Sequence, residues 1–311
     1  MNRLLKIAPC LVSLLLPLTA QAETQPAAPA AAGTVPRIAT VDWTIAETLL
    51  ALGVTPLAMG DVESYRAWVG EPTLPVDVVD IGLRMQPNRE LLAELKPDLI
   101  LISPLMASLE STLSRIAPVQ SIALYEPDAD LWQRLREATL TIAALVGKTA
   151  EAERQLAVLD RDLARMKTSL PADLPPLLLV QFIDERHVRV FGRHSLFEAV
   201  MQRLGLRNAW QGETNAWGFS VASIEQFMAL PAARLVVVDP IPVGVSERLQ
   251  EPGLWQHLPL VKQGKVLHLP AVWSFGGILA ARRFADLLSE ALREASPSDP
   301  ATHVNTKGGT R

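Results

Sequence analysis

Five histidines, one cysteine and seven tryptophans carry the most distinctive side-chain chemistry of this chain, and their placement excludes more than it allows. His187, His194, His257, His268 and His303 form no H-x-H or H-x-x-x-H pair, so neighbouring imidazoles signal no zinc, manganese or iron site. The single Cys10 permits neither an internal disulfide nor a thiolate metal cluster. Ser195 follows His194, but a nucleophilic triad is built from spatial and not sequential neighbours. No G-x-S-x-G elbow, P-loop or G-x-G-x-x-G stretch is present. These residues favour a binder over a catalyst.

Three tryptophans stand in turn-like contexts. Trp68 precedes Val69-Gly70-Glu71-Pro72, Trp217 lies in Asn215-Ala216-Trp217-Gly218, and Trp273 follows Leu269-Pro270-Ala271-Val272. Loops on a rigid scaffold carry binding residues disproportionately, and indole gives a stiff amphipathic wall with one donor. Core packing accounts for any one of them equally well; together they admit a shared apolar pocket. Arg84, in Gly82-Leu83-Arg84-Met85-Gln86-Pro87, is either a solvated charge or a planar fork offered to ligand oxygens. Glu90 and Glu225 each open a helix, where an acid favours the dipole. Their recurrence also admits paired docking points.

The elements that position these residues read as an α/β layer fold. Arg37 to Val41 is a strand, and Thr44-Ile45-Ala46-Glu47 is a capping box for a helix that stops at Gly53. Val54 to Met59 resumes an extended run. A weak internal echo follows. Asn88-Arg89-Glu90 opens a helix that Pro97 breaks before the strand Leu99 to Ile102, and Ser223-Ile224-Glu225 opens another that Pro231 breaks before Leu235 to Val238. The echo implies two lobes of like topology. Between them Ala152, Leu156, Leu159, Leu163, Met166 and Leu170 form a one-face stripe. A helix from about Thr149 to Ser169 spans about 30 Å, a strut between lobes, with a coiled-coil dimer arm as the alternative. Further strands are expected at Leu177 to Phe182 and Val188 to Phe191, and helices at Leu196 to Leu204 and around Phe284 to Leu292.

Composition sets the frame. The chain has 311 residues, 49% hydrophobic and 20% charged, too apolar for a disordered protein and long enough for two cored lobes. A net charge of −4 argues against a broad nucleic-acid footprint. Arg3 and Lys6, the apolar run from Ile7 to Leu18 and Ala20-Gln21-Ala22 have the layout of a cleaved export signal over 1–22. The apolar run is too short to span a membrane. Pro9 stands where lipid attachment at Cys10 would want a small residue. The expected organisation is a signal at 1–22, a flexible leader at 23–36, a first lobe at 37–147, a linking helix at 148–170, a second lobe at 171–295 and a disordered tail at 296–311. The expected compartment is the periplasm.

Several stretches then resemble one family. They are Tyr65-Arg66-Ala67-Trp68-Val69, Asp80-Ile81-Gly82-Leu83-Arg84, Arg115-Ile116-Ala117-Pro118, Asn208-Ala209-Trp210-Gln211-Gly212-Glu213-Thr214-Asn215-Ala216-Trp217-Gly218, and Pro270-Ala271-Val272-Trp273. From about Arg37 to Arg293 the chain resembles the periplasmic ferric-hydroxamate (ferrichrome-type) siderophore-binding proteins of ABC importers. The resemblance implies two α/β lobes joined by one long rigid helix with a shallow ligand cleft between them. It implies that Arg84 bonds the hydroxamate oxygens on iron and that Trp68, Trp217 and Trp273 line the pocket. Two positions depart from the family: Met106 and Phe275 stand where it usually has tyrosine, so two hydroxyls are lost. The partners implied are a ferric hydroxamate and an inner-membrane ABC permease with its ATPase subunit, met through Glu90 and Glu225, with Glu110 as a second first-lobe choice. No cofactor is implied, because iron arrives as chelated Fe³⁺, and the chain is expected to be a monomer without enzymatic turnover. The alternatives are the same fold with cobalamin, haem or a catecholate siderophore as cargo, or a periplasmic hydrolase or reductase of iron chelates.

Overall fold

The computed structural model describes residues 35–125 and 129–295. The expected export signal, nearly all of the leader and the expected tail lie outside the described residues.

Strands of the first lobe are β1 (Ile38–Thr40), β2 (Ala58–Met59), β3 (Val79–Asp80), a ribbon of β4 (Gly82–Leu83) and β5 (Gln86–Pro87), β6 (Leu99–Ile102) and β7 (Val119–Ser121). Five of them form an all-parallel sheet in the order β3-β2-β1-β6-β7. Its central strands are short apolar runs buried on both faces, as parallel sheets covered by helices require. In the second lobe β8 (Leu177–Phe182), β9 (His187–Phe191), β10 (Phe219–Ser223), β11 (Arg234–Val238) and β12 (Val266–Leu269) take the order β10-β9-β8-β11-β12. Here β8, β11 and β12 run parallel, whereas β9 is antiparallel to both of its neighbours.

Two helices, Leu131–Leu145 and Thr149–Ser169, separate the sheets in sequence. The second begins and ends where its stripe predicts, but it is no free-standing strut. Ala152, Leu156, Leu159, Leu163 and Met166 are buried against Leu131–Leu145, Leu196–Leu204 and the final helix Ile278–Glu294. Asp162 is buried on the same helix and is held by Arg282 at 2.9 Å and Arg165 at 3.1 Å. The stripe is thus covered by this chain's own helices. One core cluster runs unbroken from Ile38 and Leu49 in the first lobe through Leu159 to Phe191, Phe284 and Leu292, and a smaller cluster backs the other face of each sheet.

Three local expectations need correction. Asp42, not Thr44, caps the first helix, Trp43–Ala51: its Oδ1 accepts from the Thr44 and Ile45 backbone N–H groups. The apparent capping box fails because a better acceptor lies two residues upstream, which frees Glu47 for another role. Trp68 ends the helix Val62–Trp68 rather than standing in a loop. Ile224–Ala229 is a 3₁₀ helix, not an α-helix, with Ser223 Oγ accepting from the Glu225 N–H.

Candidate functional site

A cavity of about 400 Å³ opens between the lobes, within the size range of small-ligand sites. Arg84 enters it from the two-residue turn of the β4–β5 ribbon. Its Nε donates to the Val41 carbonyl at 3.1 Å, and its guanidinium lies 4.5 Å from the Trp43 ring centroid and 5.9 Å from that of Trp273. One terminal nitrogen is 3.7 Å from Asp42 Oδ2, which also accepts from Ser103 Oγ at 2.6 Å. Burial pulls the Arg84 pKa down while Asp42 and Asp61 pull it up, and an arginine starts high enough to stay charged. A planar fork, held from behind by a carbonyl and an indole face, is left facing the cavity.

The opposite wall is aromatic and centres on Phe275. Its ring meets Trp217 at 5.5 Å, Trp273 at 5.2 Å, Tyr125 at 6.1 Å and Phe219 at 5.9 Å between centroids. Edge-on and tilted packing of this kind adds to the area each ring buries. First-lobe groups fix this wall in place. Thr44 Oγ1 donates to the Phe275 carbonyl at 2.7 Å and accepts from Trp273 Nε1 at 3.1 Å. Tyr125 donates to the Gly276 carbonyl at 3.1 Å, and burial pushes its phenol far above the usual range, so it remains a donor. Glu47 is fully buried, and its Oε1 accepts from the Gly277 and Ala280 N–H groups at 3.0 and 2.6 Å. It therefore caps the final helix of the chain from the first helix. Burial pushes its carboxyl up to about 8, against the pull of those two N–H groups.

Of the residues singled out in the sequence, Arg84, Trp217, Trp273 and Phe275 line one cavity. Trp68 is not part of that lining; its ring centroid is 5.8 Å from the guanidinium of Arg189, which is. Met106 is outside it. Its side chain is 1% exposed and packs with Ile100, Ile102 and Leu113 on the other face of the first sheet. Pro104–Met106 is a 3₁₀ turn, in which successive side chains point about 120° apart, so only one of the pair can face the cleft. Leu105, 51% exposed, takes that place. Glu90, Glu110 and Glu225 are exposed and away from the cavity, and Glu225 pairs with Arg186 at 3.3 Å.

Sequence reasoning missed Trp43, Tyr125, Phe219 and Arg189. Only Arg189 left a readable trace. In the alternating strand Val188 to Phe191 it shares the face of buried Phe191, and a core-facing arginine must have a partner or a cavity. Ser195 is accounted for by structure alone: it caps Leu196–Leu204, accepting from the Glu198 N–H and donating to the Gly192 carbonyl. Among the described residues no group of three His, Cys, Asp or Glu side chains gathers to hold a metal, and no helix is long and apolar enough to cross a membrane.

Comparison with known proteins bears on this architecture. The iron(3+)-hydroxamate-binding protein FhuD of Escherichia coli is 37% identical over 257 residues, 82% of this chain and 86% of that protein. The Fe(3+) dicitrate-binding periplasmic protein FecB of the same species is 27% identical over 80% of this chain and 82% of its own. The crystal structure of FhuD from Vibrio cholerae bound to Fe³⁺–Desferal superposes with a TM-score of 0.80 at 29% identity, covering 85% of this chain and all of that one. The periplasmic binding protein family model matches residues 38–272. By that match and by these relatives, the chain belongs to the periplasmic binding protein family.

Proposed function

We propose that this protein is a periplasmic carrier that captures iron(III)-hydroxamate siderophores and delivers them to an inner-membrane ABC permease with its ATPase subunit. In this reading residues 1–22 direct export, 37–147 and 171–295 are the lobes, 148–170 links them, and the carrier is a monomer. The observation that carries it is Arg84, a charged fork presented at the mouth of an aromatic cavity. Three hydroxamates fill the six positions of Fe³⁺ and cancel its charge, so a carrier meets a compact chelate whose oxygens accept hydrogen bonds. One guanidinium and an apolar wall suit that surface. The 37% identity with the E. coli hydroxamate-binding protein supports the same cargo class.

Titrating residues 23–311 with ferrichrome, following tryptophan fluorescence and confirming by calorimetry, tests the reading. Saturable quenching at micromolar or lower concentration is expected. Arg84→Ala should lose about 1.5–3 kcal/mol of binding, the range for a hydrogen bond to a charged group, without unfolding. No saturable ferrichrome response, or unchanged affinity in Arg84→Ala, overturns the assignment.

Glu90 on the first lobe and Glu225 on the second are the proposed contacts with basic residues of the permease; Glu110 is the second first-lobe choice. Glu90→Lys combined with Glu225→Lys should abolish cellular uptake while ferrichrome affinity in vitro is retained. Normal uptake by that double variant excludes both acids.

A further inference from the structure

Three formally charged side chains line the cavity: Asp42, Arg84 and Arg189. The two arginines differ in what surrounds them. Arg84 has Asp42 within ion-pair reach and a backbone carbonyl on Nε. Arg189, from the second lobe, has no carboxylate within ion-pair distance among the described residues. Among the described residues its side chain makes one hydrogen bond, from a terminal nitrogen to Gln181 Oε1 at a long 3.4 Å, so most of its five donors have no partner there. The rings of Trp68 and Phe219, with centroids 5.8 and 5.6 Å from its Cζ, hold the guanidinium at the cavity edge. Burial already pulls its pKa down, a sign that water is partly excluded there.

We infer that Arg189 is a charge selector, and that the cavity favours ferric hydroxamate chelates carrying an anionic substituent, a carboxylate above all. This rests on the hydroxamate reading and refines it. The lining holds two positive charges and one negative, a net charge of +1. A neutral trishydroxamate complex would strip remaining water from Arg189 and return no charge to it, which is unfavourable for a half-buried cation. One pendant carboxylate restores both charge and hydrogen bonds, and it matches the planar fork bidentately. A triscatecholate complex, at three negative charges, would overshoot that net charge.

Ferrioxamine B and two derivatives test this on one trishydroxamate skeleton. The free terminal amine gives a cationic chelate, its N-acetyl form a neutral one and its N-succinyl form an anionic one. The wild-type protein should bind them in the order anionic, neutral, cationic, with about tenfold in Kd per unit of charge. Arg189→Gln should compress the whole spread to about threefold, while Arg189→Lys, which keeps the charge, should preserve the order. Equal affinity for all three in the wild type removes the selector and leaves the hydroxamate function standing. An undiminished spread in Arg189→Gln also removes it. Failure of the wild type to bind any of the three chelates overturns the hydroxamate reading and this inference together.

Discussion

The two sheets share the spatial order of their strands but not the way the chain connects them, and the difference decides how each lobe meets the cavity. In the five-stranded sheet of the first lobe every neighbour is parallel, so the chain crosses over each time and its loops gather beyond the carboxyl ends of the strands. Asp42 and Ser103 lie just past β1 and β6, and Tyr125 lies four residues past β7. Arg84 comes from the ribbon that follows β3. In the second lobe β8, β9 and β10 form an antiparallel meander, and Arg189 and Phe219 line the cavity from the strands themselves. Loop residues of the first lobe find polar partners: Arg84 has Asp42 and Val41, and Tyr125 has Gly276. The strand arginine of the second has rings and one distant amide. One wall is charge-compensated and the other is not, which is why Arg189 and not Arg84 is the position to read for charge selectivity.

The largest effect that would sharpen this contrast comes from two glycines, one in each lobe. Gly218 follows Trp217 with φ at +76°, and a Cβ there would stand 2.2 Å from the Ser195 nitrogen and 2.4 Å from the His194 carbonyl carbon. Backbone cannot yield as a side-chain tip can. Gly218→Ala is therefore expected to cost roughly 2–5 kcal/mol of stability, from left-handed strain plus overlap. Gly60 is less constrained: a Cβ there would stand 3.2 Å from the Arg84 Cα, and its carbonyl accepts from Trp43 Nε1 at 2.9 Å. Gly60→Ala should cost about 1 kcal/mol of stability or less and show mainly as weaker chelate binding through a displaced Arg84. Thermal unfolding of the two variants checks the ranking, and equal losses of stability would break the comparison.

Much of the scaffold was legible in the sequence because its signals are local. β6 is an uninterrupted apolar run and β8 is one broken only by Gln181, and Leu196–Leu204 has a serine cap and a terminal glycine in the left-handed region. Thr149–Ser169 carries a clean stripe. The cavity was half legible. Trp217 and Trp273 stand in turns, and Arg84 sits between a glycine and a proline. Tyr125 and Phe219 have no local mark, because what places them is the packing of one lobe against the other. Met106 was misplaced for Leu105, since a 3₁₀ turn points adjacent side chains about 120° apart and its sequence does not announce one. Glu47 was misread for a sharper reason. An acid three residues after a threonine fits a capping box, and only the fold shows that it caps a helix more than 230 residues away.

That long-range cap gives the subtler test, because it acts where the lobes agree rather than differ. Glu47 joins the first helix to the last behind the aromatic wall, and its Oε2 has no hydrogen-bond partner among the described residues. With its pKa raised from 4.5 to about 8, the folded protein holds a proton here that the unfolded chain releases. The associated stability is fully present below about pH 4.5, declines as pH rises and is lost once pH passes about 8. The slope is at most about 1.4 kcal/mol per pH unit. In Glu47→Gln the amide oxygen can accept from the same two N–H groups, and nothing titrates. Urea unfolding at pH 5, 6, 7 and 8 should show wild-type stability falling across the series while the Glu47→Gln curve stays flatter, so the variant gains on the wild type as pH rises. Parallel curves would mean that this carboxyl titrates near its ordinary value and that the two N–H groups at the helix end outweigh its burial.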